Sequence, residues 1–199
     1  MSIDLTKEIV FFNIGKFQSN DSFFTWTSNS NHKTNLFDIR MTRNPPAENI
    51  FYCITKADLK IVYFRKKDLV YSIAAKPAVQ SQLMEAIMEH FIKEFDLMYD
   101  DSLLVSCYGD DFGCNIFDGF ANIIYETLQN YEDLDIIKKT LVYCKTCNKT
   151  LTIIIKKSVV ESSTKPTAPI VYIHSGHALL VYVDKQYKVR GNELVAVSY

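Results

Sequence analysis

Two cysteines separated by two residues, Cys144-Lys145-Thr146-Cys147, and two histidines at the same spacing, His174-Ser175-Gly176-His177, are the residues best suited to do chemistry in this sequence. Thiolates at that spacing in a turn can grip one metal ion, and Asn148-Lys149 behind them resembles a zinc-ribbon knuckle. No second C-x-x-C exists, so a four-ligand structural site has to draw on the histidines, whose Ser-Gly turn can fold both imidazoles toward one point. The expected set is Cys144, Cys147, His174 and His177 around one zinc ion. Two other readings stand beside it. One is a reduced cysteine pair in a turn with two histidines in a hairpin loop. The other is a redox dithiol, although the βαβ surroundings of a thioredoxin-like motif are missing.

A second group is basic: Lys60, Arg65, Lys66 and Lys67 lie on and beside one hairpin tip. Such charges keep strands soluble and discourage edge pairing, and they also suit an anionic partner, either lipid headgroups or an acidic peptide. Tyr108-Gly109-Asp110-Asp111 matches a tetrapeptide with which RNA-dependent polymerases hold two metal ions, but those work inside a large palm with basic channels. In a chain of 199 residues it reads as a solvated turn. There is no G-x-S-x-G, Walker loop, G-x-G-x-x-G or H-E-x-x-H, and six glycines leave little material for a phosphate cradle. No nucleophile with a matched base can be named, so the expectation is a protein without enzymatic activity.

The elements that position these residues are legible from period. Leu59 to Phe64 and Leu69 to Ile73 are β-branched and aromatic runs around a charged break, the pattern of a hairpin. Gln80 to Tyr99 repeats Leu83, Ile87, Phe91, Phe95 and Met98 at helical spacing, with Glu85, Glu89, Lys93 and Asp96 opposite. Glu8 to Ile14, Ser22 to Thr27 and Asn49 to Thr55 supply three more strands. Ser28 to Asn49 reads as a surface excursion with one short helix near Leu36-Phe37, and Leu103 to Ser106 as a short apolar segment. A second amphipathic helix is expected over 115 to 130, with Ile116, Phe117, Phe120, Ile123, Ile124 and Leu128 on one side and Asp118, Asn122, Glu126 and Gln129 on the other.

The run Lys60-Ile61-Val62-Tyr63-Phe64-Arg65, then Leu69-Val70-Tyr71, Glu85-Ala86-Ile87 leading into Phe91, and Ile116-Phe117 with Tyr125-Glu126, resembles the small (sigma) and N-terminal medium (mu) chains of clathrin-type adaptors. Those chains are longin-fold domains. The resemblance spans residues 8 to 130 and implies a five-stranded antiparallel sheet packed with helices. It also implies a vesicle-trafficking, adaptor-like role in protein–protein interaction, with a small GTPase or a larger adaptor-like subunit as partner. Peripheral contact with anionic membrane and homo- or hetero-oligomers fit the same role, and no nucleic acid is expected.

From Lys138 the texture changes to dense β-branched runs: Thr150 to Val160, Ile170 to Ile173, Ala178 to Val183, Tyr187 to Val189 and Leu194 to Val197. Breaks at His174 to His177, Asp184 to Gln186 and Arg190 to Glu193 have the residue types of tight turns. An antiparallel meander of about sixty residues buries only about 60% of its unfolded surface, so it needs a staple or a neighbour. The expected class is α+β: a longin-like domain over 1–137, then a small β-rich domain over 138–199, stabilised by zinc. The alternative function is a zinc-dependent nucleic-acid or ligand-binding regulator in which the second domain does the recognition.

A hydrophobic fraction of 48% with 23% charged residues is ordinary globular composition, and a net charge of −1 gives no global pull toward nucleic acid or anionic membrane. The five cysteines are an odd number, and the first residues lack the basic and apolar regions of a signal peptide. Together they point to a reducing, cytoplasmic setting, with Cys53, Cys107 and Cys114 as plain core or strand residues.

Overall fold

The structure is a computed structural model that describes residues 4–17, 22–28, 47–56, 58–100 and 115–195. The chain divides into two compact units, Met1–Tyr131 and Glu132–Tyr199. The fold is α+β, as its strand and helix patterns predict. The stretches around Leu36-Phe37, Leu103 to Ser106 and Tyr108 to Asp111, with Cys107 and Cys114, lie outside the described residues.

The first unit opens on a single helical turn, α1 (Leu5–Glu8), and continues through β1 (Ile9–Lys16), β2 (Ser22–Thr27), β3 (Phe51–Lys56), β4 (Leu59–Lys66) and β5 (Leu69–Ala75). These strands form one sheet in the order β2-β1-β5-β4-β3, every pair antiparallel. The central β4–β5 hairpin turns on Lys67 and Asp68, with Lys67 in the left-handed region at φ 54°. A two-residue hairpin turn favours positive φ because its twist then matches that of the strands.

The two long helices follow the fifth strand. α2 (Ser81–Met98) buries Leu83, Met84, Ile87, Met88, Phe91, Ile92 and Phe95, while Met98, expected on the same face, is 42% exposed at the helix end. A short 3₁₀ turn, Asn115–Phe117, leads into α3 (Asp118–Asn130), which buries Phe120, Ile124 and Leu128, while Ile116, expected on the same face, is exposed in the 3₁₀ turn that precedes the helix. In register, Phe12, Ile73 and Val62 form one row across the sheet, and that row faces α2 because the Phe12 ring meets Phe91 edge-on at 4.9 Å. Phe120 of α3 sits at the centre of this layer, with its ring centre 5.3 Å from Phe95, 5.5 Å from Phe24 and 6.2 Å from Phe12. The reverse face of the sheet carries a second apolar cluster of Val10, Phe11, Ile61, Tyr63, Val70 and Ala74.

The second unit corrects four expectations. Its strands do not make one meander: β6 (Ile137–Cys144) and β7 (Lys149–Lys156) form a two-stranded sheet, and β8 (Thr167–His174), β9 (His177–Asp184) and β10 (Val189–Val195) form a separate three-stranded one. The strand expected through Val160 ends at Lys156, and α4 (Lys157–Ser162) follows. That helical turn buries Val160 with Ile153 and Ile155 and leaves Lys157 facing Glu161 at 3.9 Å. Arg190 to Glu193 is strand with a bulge at Arg190, while the chain reverses at Asp184 to Lys188. There the Asp184 carboxylate accepts from the Gln186 and Lys188 backbone N–H groups and from Arg190, so Tyr187 lies in the turn at φ 61° rather than in a strand. Val142, Cys144, Ile153, Ile155, Ile170, Leu179, Val181 and Val183 make one core for both sheets. Among the described residues no helix is long and apolar enough to cross a membrane.

Candidate metal centre

Cys144 is the last residue of β6, buried in the core, and pairs in register with Lys149. The four residues between them form the turn that presents Cys147 half-buried beside it. Asn148 closes the turn at φ 55°, a conformation that Asn tolerates better than most residues, and its side-chain oxygen accepts a hydrogen bond from the Tyr143 hydroxyl. The backbone folds over the first sulfur. The N–H of Cys147, and with it that of Thr146, holds the Cys144 thiol below its ordinary pKa. Burial pushes the Cys147 thiol up, and the neighbouring Cys144 adds to the effect. Backbone N–H groups aimed at one sulfur favour its anionic form, and a cation bound between the two sulfurs would displace the thiol protons.

The third donor arrives from the other sheet. His174 ends β8, and its Nδ1 lies 4.0 Å from the Cys147 sulfur. Its Nε2 is buried with no hydrogen-bond partner among the described residues. Burial, then the neighbouring His177, holds its pKa below the usual value, so the ring stays neutral and able to ligate. The Tyr172 ring stacks on it at 5.6 Å, fixing the imidazole plane. Ligand atoms of Cys144, Cys147 and His174 all lie within 4.8 Å of one another, and this group could hold a metal ion. Ligands on a tetrahedral zinc, with bonds of about 2.3 Å to sulfur and 2.0 Å to nitrogen, stand about 3.5 to 3.8 Å apart, so the set needs only small adjustments.

His177, the fourth expected ligand, is not part of that group. It pairs with His174 across the Ser175-Gly176 turn, and its ring stands edge-on to His174 at 5.5 Å between centres. The spacing of the histidines could show that both lie at one hairpin end, but not which ring turns toward the sulfurs. Sequence reasoning missed Tyr172, and its signal was alternation: two residues before His174 on one strand, it shares that residue's face.

The basic residues are spread by the hairpin rather than gathered. Lys60 pairs with Ala75 at the end of β4 away from the tip, half-buried, and its ammonium donates to the Val79 carbonyl at 2.6 Å. Burial lowers its pKa. Arg65 stacks over the Phe17 ring at 3.8 Å and donates from Nε to the Lys67 carbonyl, while Lys66 pairs with Asp96 of α2. The Lys67 backbone N–H donates to Glu48 at 3.0 Å. Strand alternation sends Lys66 to the α2 face and Arg65 to the other, so the tip offers charge on two sides. No protein-family model and no curated protein matches the chain.

Proposed function

We propose that this chain is a non-enzymatic interaction module of the longin and adaptor-chain kind, in which the first unit docks a folded partner and the second is a small zinc-stapled β unit. The observation that carries this is the sheet order β2-β1-β5-β4-β3, with two long helices following its last strand and packed by an aromatic layer. It is the arrangement that the resemblance of residues 8 to 130 implies. The partner class is a small GTPase or a trafficking-type subunit, and the hairpin tip at Arg65, Lys66 and Lys67 is the surface to test. Purified full-length protein should bind such a GTPase in one nucleotide state, and reversing those three charges to Glu should reduce binding at least tenfold. Equal binding by the reversed variant removes the tip from the proposal, and the absence of binding to any GTPase or anionic vesicle removes the docking function.

A second function is favoured by the three converging donors: a zinc-dependent regulator in which the second unit recognises a ligand or nucleic acid. The zinc claim common to both is tested directly. Protein purified without chelator should carry about one equivalent of zinc, falling to near zero in Cys144→Ser/Cys147→Ser. The variant should expose the second unit to protease while β4, β5 and α2 stay protected, since structural zinc contributes to folding outright. Metal-free wild-type protein with an equally protected second unit ends the zinc claim. If recognition lies in the second unit, loss of Cys144 abolishes partner capture and charge reversal at the tip does not.

A further inference from the structure

We propose that Cys144 and Cys147 are a two-state dithiol in which bound metal and an intramolecular disulfide exclude each other, so that a hydroperoxide-class oxidant releases the ion and detaches β8 from the β6–β7 turn. This rests on the metal assignment and adds its regulation.

Three features of the site carry it. Both sulfurs lie within 4.8 Å of one another on one short turn, and a disulfide would bring them to about 2.05 Å. Their exposure is unequal: Cys147 is half-buried and reachable by a small oxidant, whereas Cys144 is fully buried beneath it. The two fates also cross-link different parts of the unit. Metal joins Cys147 to His174, 27 residues further on and in the other sheet, while a disulfide joins residues only three apart in one turn.

The chemistry balances. The more exposed Cys147 gives its proton to solvent or to the metal-loading step, attacks a peroxide oxygen as the thiolate and forms a sulfenic acid, with hydroxide leaving. The Cys144 thiolate then attacks the Cys147 sulfur, the S–S bond forms, and a second hydroxide leaves. Two electrons pass from the sulfurs to the peroxide, two protons taken up from the buffer convert the two hydroxides to water, and the ion is freed because both anionic donors are gone. Replacing a cross-link over 27 residues with one over three also returns loop-closure entropy to the unfolded ensemble. The three-residue closure exists in both states, so oxidation loses the 27-residue closure outright, which should raise the open population of the unit by at least about tenfold.

The test is peroxide titration of zinc-loaded and zinc-free full-length protein, following zinc release with a chromogenic chelator and thiol state by alkylation and mass spectrometry. The expected result is one zinc released per disulfide formed, with zinc slowing oxidation at least tenfold. Protease cleavage of the second unit should rise at least about tenfold and return to its starting level with dithiothreitol and zinc. His174→Ala keeps both sulfurs and should oxidise at the zinc-free rate even when zinc is present. Disulfide formation with zinc retained, equal rates with and without zinc, or oxidation that stops at sulfinic acid on Cys147 overturns the proposal while leaving the metal site standing. A wild-type protein that takes up no zinc overturns the metal site itself, and the switch with it.

Discussion

Truncating Phe120 to Ala should destabilise the first unit more than any other change in α3, because its ring occupies the middle of the layer between sheet and helices. The side chain is fully buried and has ring neighbours on four other elements or segments: Phe12 at 6.2 Å, Phe24 at 5.5 Å, Phe91 and Phe95 at 6.3 and 5.3 Å, and Tyr99 at 6.4 Å. Phe-to-Ala in a core costs about 3–5 kcal/mol, and edge-on ring pairs add about 0.5–1.5 kcal/mol each beyond burial, so the expected loss is about 4–5 kcal/mol. With a urea slope of about 2 kcal/mol per molar, the midpoint should fall by about 2 M. The assay is built into the chain. Its single tryptophan, Trp26, pairs with Phe12 in the β1–β2 ladder, so its fluorescence follows the first unit alone. Phe120→Leu keeps most of the burial but loses the ring geometry, and should cost about 1–2 kcal/mol. Tyr125→Ala, half-exposed on the same helix, should stay within about 0.5 kcal/mol. A midpoint shift below about 0.5 M for Phe120→Ala, or equal shifts for Ala and Leu, would refute the stacking account.

Asn13 is buried and donates from Nδ2 toward the Phe24 carbonyl at 2.9 Å and the Thr25 and Ser22 hydroxyls, so Asn13→Ala should cost about 1–3 kcal/mol, read by Trp26 in the same urea titration. Lys185 donates to the carbonyls of Val160 at 2.6 Å and Ser163 at 2.6 Å, at the end of α4; Lys185→Met should raise amide hydrogen exchange across 157–163 by about tenfold, a loss of about 1–2 kcal/mol. The Lys188 N–H, then Arg190 and the Gln186 N–H, hold the Asp184 carboxyl below its ordinary 3.8, and Lys138 and Lys157 bring Asp135 down to about 2. Both groups have folded values below their unfolded ones, so their stabilisation is complete above about pH 4 and is lost as pH falls through the folded values. Protease protection of the second unit should therefore fall in that window, and Asp184→Asn should lower protection at neutral pH and flatten its acid dependence.

Local chemistry settled much of this protein in advance. The repeat Leu83, Ile87, Phe91, Phe95 could only bury one stripe of a helix, and the β-branched runs on either side of Arg65-Lys66-Lys67-Asp68 could only alternate across a sheet, so α2 and the central hairpin follow from period. The sulfur pair was equally readable, because a three-residue spacing confines both donors to one turn whatever surrounds it. Where pattern and packing competed, packing decided. Val159 and Val160 read as strand, yet a helical turn carries Val160 into the core shared by both sheets. Arg190-Gly191-Asn192-Glu193 has turn chemistry, yet the Asp184 carboxylate organises an earlier reversal and β10 pairs straight through with one bulge. The choice of His174 over His177, and the place of Phe120 at the centre of its layer, depend on side-chain directions between residues distant in sequence, and those directions exist only once the sheets and helices have packed.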